Sequence, residues 1–370
     1  MNQFPAVDPI PLPAPVWLLK ALHIVTLSLH FIAVELLLGG LLLAAVLSIA
    51  RNNPGARTVT AAIAKRLPVV MTYVINLAVP PLLFAQVLYG RALYTSSVLI
   101  GAWWIAVIGL LMATYWLLYR FAARVESGRR AWWVGLLAWA LAGTVARVLS
   151  SNMTLMLRPE VWQAMYQSSA SGTNLPAGDP TIFPRWLFMM AGGLLFAGLW
   201  LIWLAGNAPA EQTERRQLAR TGGMLAVPMA IVQVLAGLLV VATQPASIIA
   251  MMNGNWVYPL AREVWLGALA LCFVAGAIAI FVRRASVLAA WAAALVALLA
   301  SLSMTLYRDG IRDTTLLTKG FDVWNRTVVT NWSVVGLFLV LFVAGLGVIA
   351  WLMTVVARAQ RVPAAKVVQA

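Results

Sequence analysis

The chain contains only two histidines, His23 and His30, and both lie in one apolar segment near its beginning. An imidazole inside an apolar helix is either a ligand of haem iron or a hydrogen-bonding partner within a bundle. Residues seven apart on an α-helix share a face and are separated by about 10.5 Å along the axis. The two rings therefore cannot bind opposite faces of one haem, although each can supply a single axial ligand. The alternative is that both rings make hydrogen bonds inside the helix bundle.

One carboxylate and three arginines complete the set of candidate chemical groups. Glu35 lies in the same apolar segment as His30, and an ionisable group inside a membrane is costly enough to be a functional candidate. It predicts a proton-handling role, with a pairing to another helix as the alternative. Arg91, Arg308 and Arg312 lie near the ends of apolar segments and are candidates for binding haem propionates or another anion. Arginines at such places also mark the membrane interface or a solvated outer turn, and both interpretations stay open.

The composition predicts that these groups belong to a membrane protein. Of the 370 residues, 62% are hydrophobic and 10% are charged, whereas soluble domains carry about 25% charged residues. The net charge of +15 comes mostly from short basic clusters between apolar segments, which indicates membrane topology rather than nucleic-acid binding. The single cysteine, Cys272, excludes an internal disulfide and a C-x-x-C-H attachment site for haem c. We therefore expect contact with membrane lipid and none with nucleic acid.

Nine apolar segments are long enough to cross a bilayer, which takes about 20 residues of helix. They are residues 16–48, 68–90, 97–121, 131–157, 183–206, 221–243, 257–282, 285–305 and 331–357. The sequence thus predicts an all-α integral membrane protein, a bundle of about nine transmembrane helices. The second span contains Pro80 and Pro81, which predict a kink.

The distribution of lysine and arginine predicts the orientation of the bundle. Basic residues concentrate after the first, third, fifth, seventh and ninth spans, so these five segments are expected to be cytoplasmic. The N-terminus is then periplasmic and the C-terminus cytoplasmic. The longest external segments are residues 158–182, predicted as a loop, and 306–330, predicted to carry at most a short interfacial helix. No soluble domain or internal repeat is apparent, so residues 1–370 form a single membrane domain.

Six short motifs occur in a defined order along the chain. They are residues 29–39 (LHFIAVELLLG), 75–96 (ending in YGRALYTS), 152–159 (NMTLMLRP), 179–188 (DPTIFPRWLF), 244–252 (QPASIIAMM) and 307–312 (YRDGIR). In this order they resemble elements of subunit I of the cytochrome bd-type oxygen reductases. The resemblance extends over nearly the full length of the chain, and it rests on the order of the motifs, since none of them is specific alone.

The resemblance implies the fold of that family and implies His30 as the axial ligand of its high-spin haem b. The two ligands of the family's low-spin haem b fall on Phe188 and near Trp265, and neither side chain can bind iron. No acid occurs between residues 103 and 115, where the family's third helix carries acids, and the quinol-oxidising loop is reduced to residues 244–256. The departures argue against quinol oxidation and against a complete oxygen-reducing centre.

Three functions follow from these observations. The first is a haem b subunit, with either one haem at His30 or two haems, the second at His23, which relays electrons within a respiratory complex of a bacterial inner membrane. It is an electron-transfer subunit rather than a self-sufficient oxidase, and a separate periplasmic cytochrome c is its natural partner. The second is a haem-free anchor, in which side chains satisfy both histidines and leave no room for a porphyrin. The third is a transporter, which predicts broken helices and midplane charges in two repeated halves.

Overall fold

Long α-helices make up most of the chain in the computed structural model, which describes residues 4–5, 10–50, 52–176 and 178–359. A helix bonds its backbone groups within one segment, which is the requirement for a chain that crosses lipid. The helices are α1 (Val16–Leu47), α2 (Pro54–Ala64), α3 (Leu67–Leu99), α4 (Gly101–Glu126), α5 (Trp132–Leu155), α6 (Trp162–Ser168), α7 (Ile182–Asn207), α8 (Gln212–Ala242), α9 (Ala246–Asn253), α10 (Val257–Phe281), α11 (Val287–Thr318) and α12 (Trp332–Ala359).

The coarse prediction of an all-α membrane bundle is confirmed. Within the described ranges, eight segments have the length and hydropathy of membrane spans, and they correspond to the first eight predicted ones. The ninth predicted span is also helical, and its apolar part is Trp332–Val348 in α12. The count of nine and the orientation in the membrane stay predictions. The basic tail beyond residue 359, predicted to be cytoplasmic, lies outside the described residues.

Helix α1 occupies the centre of the bundle, where it packs against α2, α3, α5, α7 and α11. Its approach to α7 depends on glycine, because a Cβ on Gly39 would overlap the carbonyl group of Gly193. Small residues at a crossing point let two membrane helices come close enough for extensive van der Waals contact. Five polar side chains of α1 are buried in the bundle, namely Lys20, His23, Thr26, Ser28 and Glu35.

Helix α11 extends well beyond the predicted eighth span, which ended at residue 305. The segment after it was expected to be external, yet the helix continues to Thr318 and buries Asp309, Arg312 and Asp313. The charges lower the hydropathy of these turns, but they pair with groups on other helices, and this pairing offsets the cost of burial. The chain then turns back, and Val329 N–H donates to the carbonyl of Leu12 at 2.9 Å.

Helix α3 is interrupted at a different place from the one its prolines predict. The non-helical dihedral angles inside α3 belong to Tyr89, with φ −122° and ψ 15°, rather than to Pro80 or Pro81. Tyr89 is fully buried, and its hydroxyl group bonds to α1 and α11. The break in the helix therefore coincides with a polar contact among three helices.

Four of the five basic segments predicted to share one side, those within the described residues, lie at one end of the bundle. The side-chain amide of Gln212 at the start of α8 donates to the carbonyl of Arg283 at 2.8 Å. Helix α2, which carries Arg57, packs against α4 and α8 at the same end. We call this the basic end. The opposite end contains the N-terminal part of α1 and the C-terminal parts of α3 and α11.

Candidate functional site

Six buried polar side chains join three helices at the end opposite the basic end. Lys20 on α1 forms ion pairs with Asp309 and Asp313 on α11, and its Nζ lies 2.6 Å from Asp313 Oδ2. The Tyr89 hydroxyl lies 2.9 Å from Asp309 Oδ1 and 3.0 Å from Asp313 Oδ1, so its single proton serves one carboxylate at a time. We call the group the Lys20 cluster. Its members are Lys20, His23, Tyr89, Asp309, Arg312 and Asp313.

Both ring nitrogens of His23 are engaged within this cluster. Nε2 lies 2.8 Å from Nη1 of Arg312, and since a guanidinium only donates, Nε2 accepts. Nδ1 then carries the proton and donates to the carbonyl of Pro81 at 3.0 Å. No nitrogen is left to bind iron, so His23 does not fit a haem in this arrangement.

The Lys20 cluster balances its charges. Lys20 and Arg312 contribute two positive charges, and Asp309 and Asp313 contribute two negative ones, with Arg312 Nη1 3.7 Å from Asp309 Oδ1. The indole N–H of Trp324 donates to Asp313 Oδ2 at 3.1 Å from the segment after α11. A buried network whose members are all bonded holds elements in one arrangement. Arg312, predicted as a propionate ligand, is thus already occupied by groups of its own chain.

The surroundings of His30 differ from those of His23. Its Nδ1 lies 3.2 Å from the carbonyl of Val74 on α3 and must donate to it, which leaves the lone pair on Nε2. Among the residues that the structure describes, Nε2 has no hydrogen-bonding partner. The neighbouring Phe31 ring lies under the guanidinium of Arg308, 5.2 Å from the ring centroid. His30 therefore offers a fixed ring with a free lone pair.

Arg308 and Arg185 contribute two positive charges on this side of the bundle, with Asp309 and Asp179 in their wider surroundings. No carboxylate lies within 4.0 Å of either guanidinium in the described part of the chain. Arg185, in the first turn of α7, also has a buried Nε without a hydrogen-bonding partner. The two guanidinium groups lie within electrostatic range of each other. A pair of unpaired guanidinium groups is a site for an anion with several oxygens.

Arg91, the third predicted arginine, lies elsewhere. It donates to the carbonyl of Pro5 at 3.0 Å, and its guanidinium lies 4.6 Å from the centroid of the Phe321 ring. These contacts tie the N-terminal segment to the segment that follows α11. The structure therefore gives Arg91 partners in two peripheral segments and does not bring it to His30.

Glu35 lies deep in the bundle, where α1 meets α7 and α8. Its Oε2 is buried without a hydrogen-bonding partner, and no cation lies within ion-pair distance of the carboxylate in the described ranges. The pairing to another helix that was the alternative for Glu35 is therefore not an ion pair. Glu263, another candidate for the membrane interior, is exposed and lies 2.9 Å from Arg262.

The positions that the resemblance assigns to the low-spin haem are filled by packed aromatic rings. The centroids of Phe188 and Trp265 lie 5.8 Å apart, and a Cβ on Gly237 would meet both rings. These residues offer no ligand to iron, whereas His30 offers a nitrogen and Arg308 and Arg185 offer positive charge. No protein-family model matches the sequence, and no curated protein matches it significantly. The likeness to the bd-type reductases therefore stays an interpretation of the motif order.

Sequence reasoning missed the Lys20 cluster as a unit. Its signal is present in the spacing, because Lys20 and His23 are three apart, as are Asp309 and Arg312, so each pair shares a helix face. The complementary charges on these two faces predict an interhelical contact. Tyr89 carries no such signal, because nothing in its neighbourhood distinguishes it from the other aromatic residues of α3.

Proposed function

We propose that this chain is a transmembrane haem b subunit that carries one haem at His30 and relays electrons within a bacterial respiratory complex. The observation that carries the proposal is the hydrogen bond from His30 Nδ1 to the carbonyl of Val74. It fixes the tautomer and the orientation of the ring, and it leaves Nε2 available. Histidines that bind metals usually donate their other N–H to a carbonyl or carboxylate in this way.

Arg308 and Arg185 are proposed to hold the two haem propionates. Both guanidinium groups lack a carboxylate partner in the described part of the chain, and they are contributed by different helices, α11 and α7. Haem supplies reversible one-electron transfer when it is bound. The protein would supply one nitrogen ligand from His30, two positive charges from Arg308 and Arg185 and apolar surroundings, and these would set how strongly the reduced and oxidised forms are stabilised.

One haem rather than two is supported by the contrast between the histidines. His23 uses one ring nitrogen to bond to Arg312 and the other to bond to the carbonyl of Pro81. Phe188 packs against Trp265 where a second haem would need ligands. We propose that the chain has nine spans. Its N-terminus would be periplasmic, because the basic end is expected to face the cytoplasm. Electrons would then pass to or from a separate cytochrome c at the end that contains the Lys20 cluster.

The saturation of the Lys20 cluster favours a second candidate, a haem-free anchor of a redox complex. A network of six bonded side chains contributes rigidity and no free ligand, which is what a scaffold requires. This candidate predicts a folded protein without haem. It leaves the free Nε2 of His30 and the unpaired Arg308 without a role.

The two candidates are separated by the haem content of the purified chain. We expect a pyridine haemochrome assay to give about one haem b per chain and His30→Ala to abolish it. His23→Ala is the matched control, since it removes the same side chain two turns away, and it should retain the haem. The proposal fails if folded wild-type protein contains no haem, or if His30→Ala leaves the content and the Soret spectrum unchanged. The first of these results would favour the anchor.

A further inference from the structure

Two buried polar side chains meet in the interior of the bundle, well away from His30 on the circumference of α1. Glu35 on α1 and Gln233 on α8 are 5% and 4% exposed. Both approach Gly192 on α7, because a Cβ at this glycine would lie 2.7 Å from Glu35 Oε1 and 3.1 Å from Gln233 Nε2. The missing side chain of Gly192 thus makes the space that the two polar groups share.

Each of these side chains has an oxygen without a donor. Glu35 Oε2 and Gln233 Oε1 are both buried, and neither has a hydrogen-bonding partner in the described part of the chain. Leaving a buried polar atom unsatisfied costs about 1–3 kcal/mol, and more if the group is charged. The two side chains approach each other at Gly192 through Glu35 Oε1 and Gln233 Nε2, so a donor bound at this place can serve the carboxyl and the amide group together.

Charged groups of the surrounding helices do not fill this role. The nearest arginine along α7 is Arg185, seven residues or about 10.5 Å along the axis from Gly192. On α8 the nearest is Arg220, thirteen residues or about 19.5 Å from Gln233. On α1 itself, His30 lies five residues away and bonds to α3. The carboxyl group therefore has no fixed counter-charge.

We propose that Glu35 and Gln233 form a proton-binding site, in which Glu35 carries a proton on Oε2 and donates it to Oε1 of Gln233. One proton on Oε2 gives both orphaned oxygens a partner once the Gln233 amide turns its oxygen toward the carboxyl group. A metal cation would need about six oxygen ligands, and only these two unpaired oxygens are found at the site within the described ranges. Water supplies the proton that Glu35 binds. When Glu35 releases this proton to water, the carboxylate forms again. The proposal requires no haem and goes beyond electron relay.

The site formed by Glu35 and Gln233 is suited to bind or release its proton when the charge in its surroundings changes. A carboxylate here would be buried without compensation, which an apolar bundle tolerates poorly. Release of the proton must therefore accompany the arrival of positive charge nearby, and uptake must accompany its departure. Gly192 is part of this proton-binding site, because any larger residue would push the carboxyl group of Glu35 and the amide group of Gln233 apart.

The test is the infrared spectrum of the full chain in lipid nanodiscs, recorded in H2O and D2O. A protonated carboxylic acid gives a C=O stretching band that is absent for a carboxylate and shifts on deuteration. We expect Glu35→Gln to remove one such band at neutral pH, and the exposed control Glu263→Gln to leave it. Gln233→Leu should keep the band but move it to higher frequency, because the hydrogen bond is lost.

Three results would overturn the site. The first is that the C=O band survives Glu35→Gln. The second is that Gln233→Leu leaves the frequency of the band unchanged. The third is that the band disappears when sodium replaces a large organic cation in the buffer. The last would identify a metal-cation site instead. The His30→Ala variant should show the same band as the wild type, so failure of the haem proposal is distinguishable from failure of this one.

Discussion

Two groups of ionisable side chains lie inside the bundle, and their surroundings are opposite. In the Lys20 cluster, two cations face two anions, and hydrogen bonds occupy Tyr89 and both nitrogens of His23. At Glu35 and Gln233, two oxygens lack donors and no counter-charge lies nearby. His30 and Arg308 resemble the second group, because each has an unused bonding capacity.

The difference separates polar groups that build the fold from groups that are free to bind something. A saturated network is strongly coupled, so removing one member leaves the others buried and unpaired. An unsaturated pair contributes little to stability and is retained at a cost. Substitutions in the first group should therefore change stability, whereas substitutions in the second should change binding or titration.

The largest effect is expected from Lys20→Met. It leaves Asp309 and Asp313 facing each other without their cation, and breaking a buried ion pair in this way costs about 3–5 kcal/mol. Unfolding in mixed micelles, followed by circular dichroism, measures the loss. Adding Asp309→Asn to Lys20→Met removes one excess charge and should recover part of the stability. A loss below about 1 kcal/mol for the single variant would contradict the central role of the cluster.

A smaller effect is expected when the two histidines are replaced in haem-free protein. His23→Ala leaves Arg312 short of an acceptor and the carbonyl of Pro81 without its donor from α1, which should cost about 1–3 kcal/mol. His30→Ala removes a single hydrogen bond and should cost about 1 kcal/mol. The same unfolding assay ranks the pair. A larger loss of stability for His30→Ala than for His23→Ala would show that the hydrogen bonds of His23 do not stabilise the fold more than that of His30.

The third effect links the two unsaturated sites. If haem b is bound at His30, its reduction adds negative charge about 7.5 Å along the axis from Glu35 and favours the protonated acid. The midpoint potential should then fall as the pH rises through the range in which the oxidised protein loses this proton. The slope is at most about 59 mV per pH unit, or about 1.4 kcal/mol. Spectroelectrochemical titration should find the slope abolished by Glu35→Gln and kept by Glu263→Gln.

The smallest effect is expected at the half-exposed pair of Lys319 and Glu160, whose Nζ and Oε2 lie 2.7 Å apart. Burial opposes ionisation of Glu160, but the hydrogen bond and charge of Lys319, together with a backbone hydrogen bond and the charge of Arg158, lower the pKa of Glu160 below its usual value. Lys319→Met should therefore cost less than about 1 kcal/mol near neutral pH. The difference should vanish in acid, as the pH falls through the pKa of Glu160 in the folded protein. A cost that persists in acid would indicate a packing role.

The sequence predicted the membrane bundle because twenty-residue apolar segments have few other solutions in lipid. It failed at α11, where hydropathy ended the eighth span at residue 305 while the charged turns beyond it stay helical and buried. The reason is that the partners of Asp309 and Asp313 lie on α1, so an average hydropathy along α11 counts the charges of these residues and not their pairing.

The roles of the histidines and of Glu35 were only partly predictable. His23 and His30 share a helix and a face in sequence, so their difference arises from which atoms of α3 and α11 come to meet them. Glu35 was identified as a proton-handling candidate because it is ionisable and apolar residues surround it. Gln233 was missed, since an uncharged amide in a membrane helix gives no electrostatic signal.

The ion pair between Lys20 and Asp313 joins residues that are 293 positions apart in the chain. During synthesis at about 5–20 residues per second, Lys20 emerges roughly 15–60 s before its partner exists. For that period Lys20 lacks both of its carboxylate partners, so the Lys20 cluster can form only after α11 has been synthesised. A chain truncated before α11 should therefore lack the cluster and unfold more readily than the full chain.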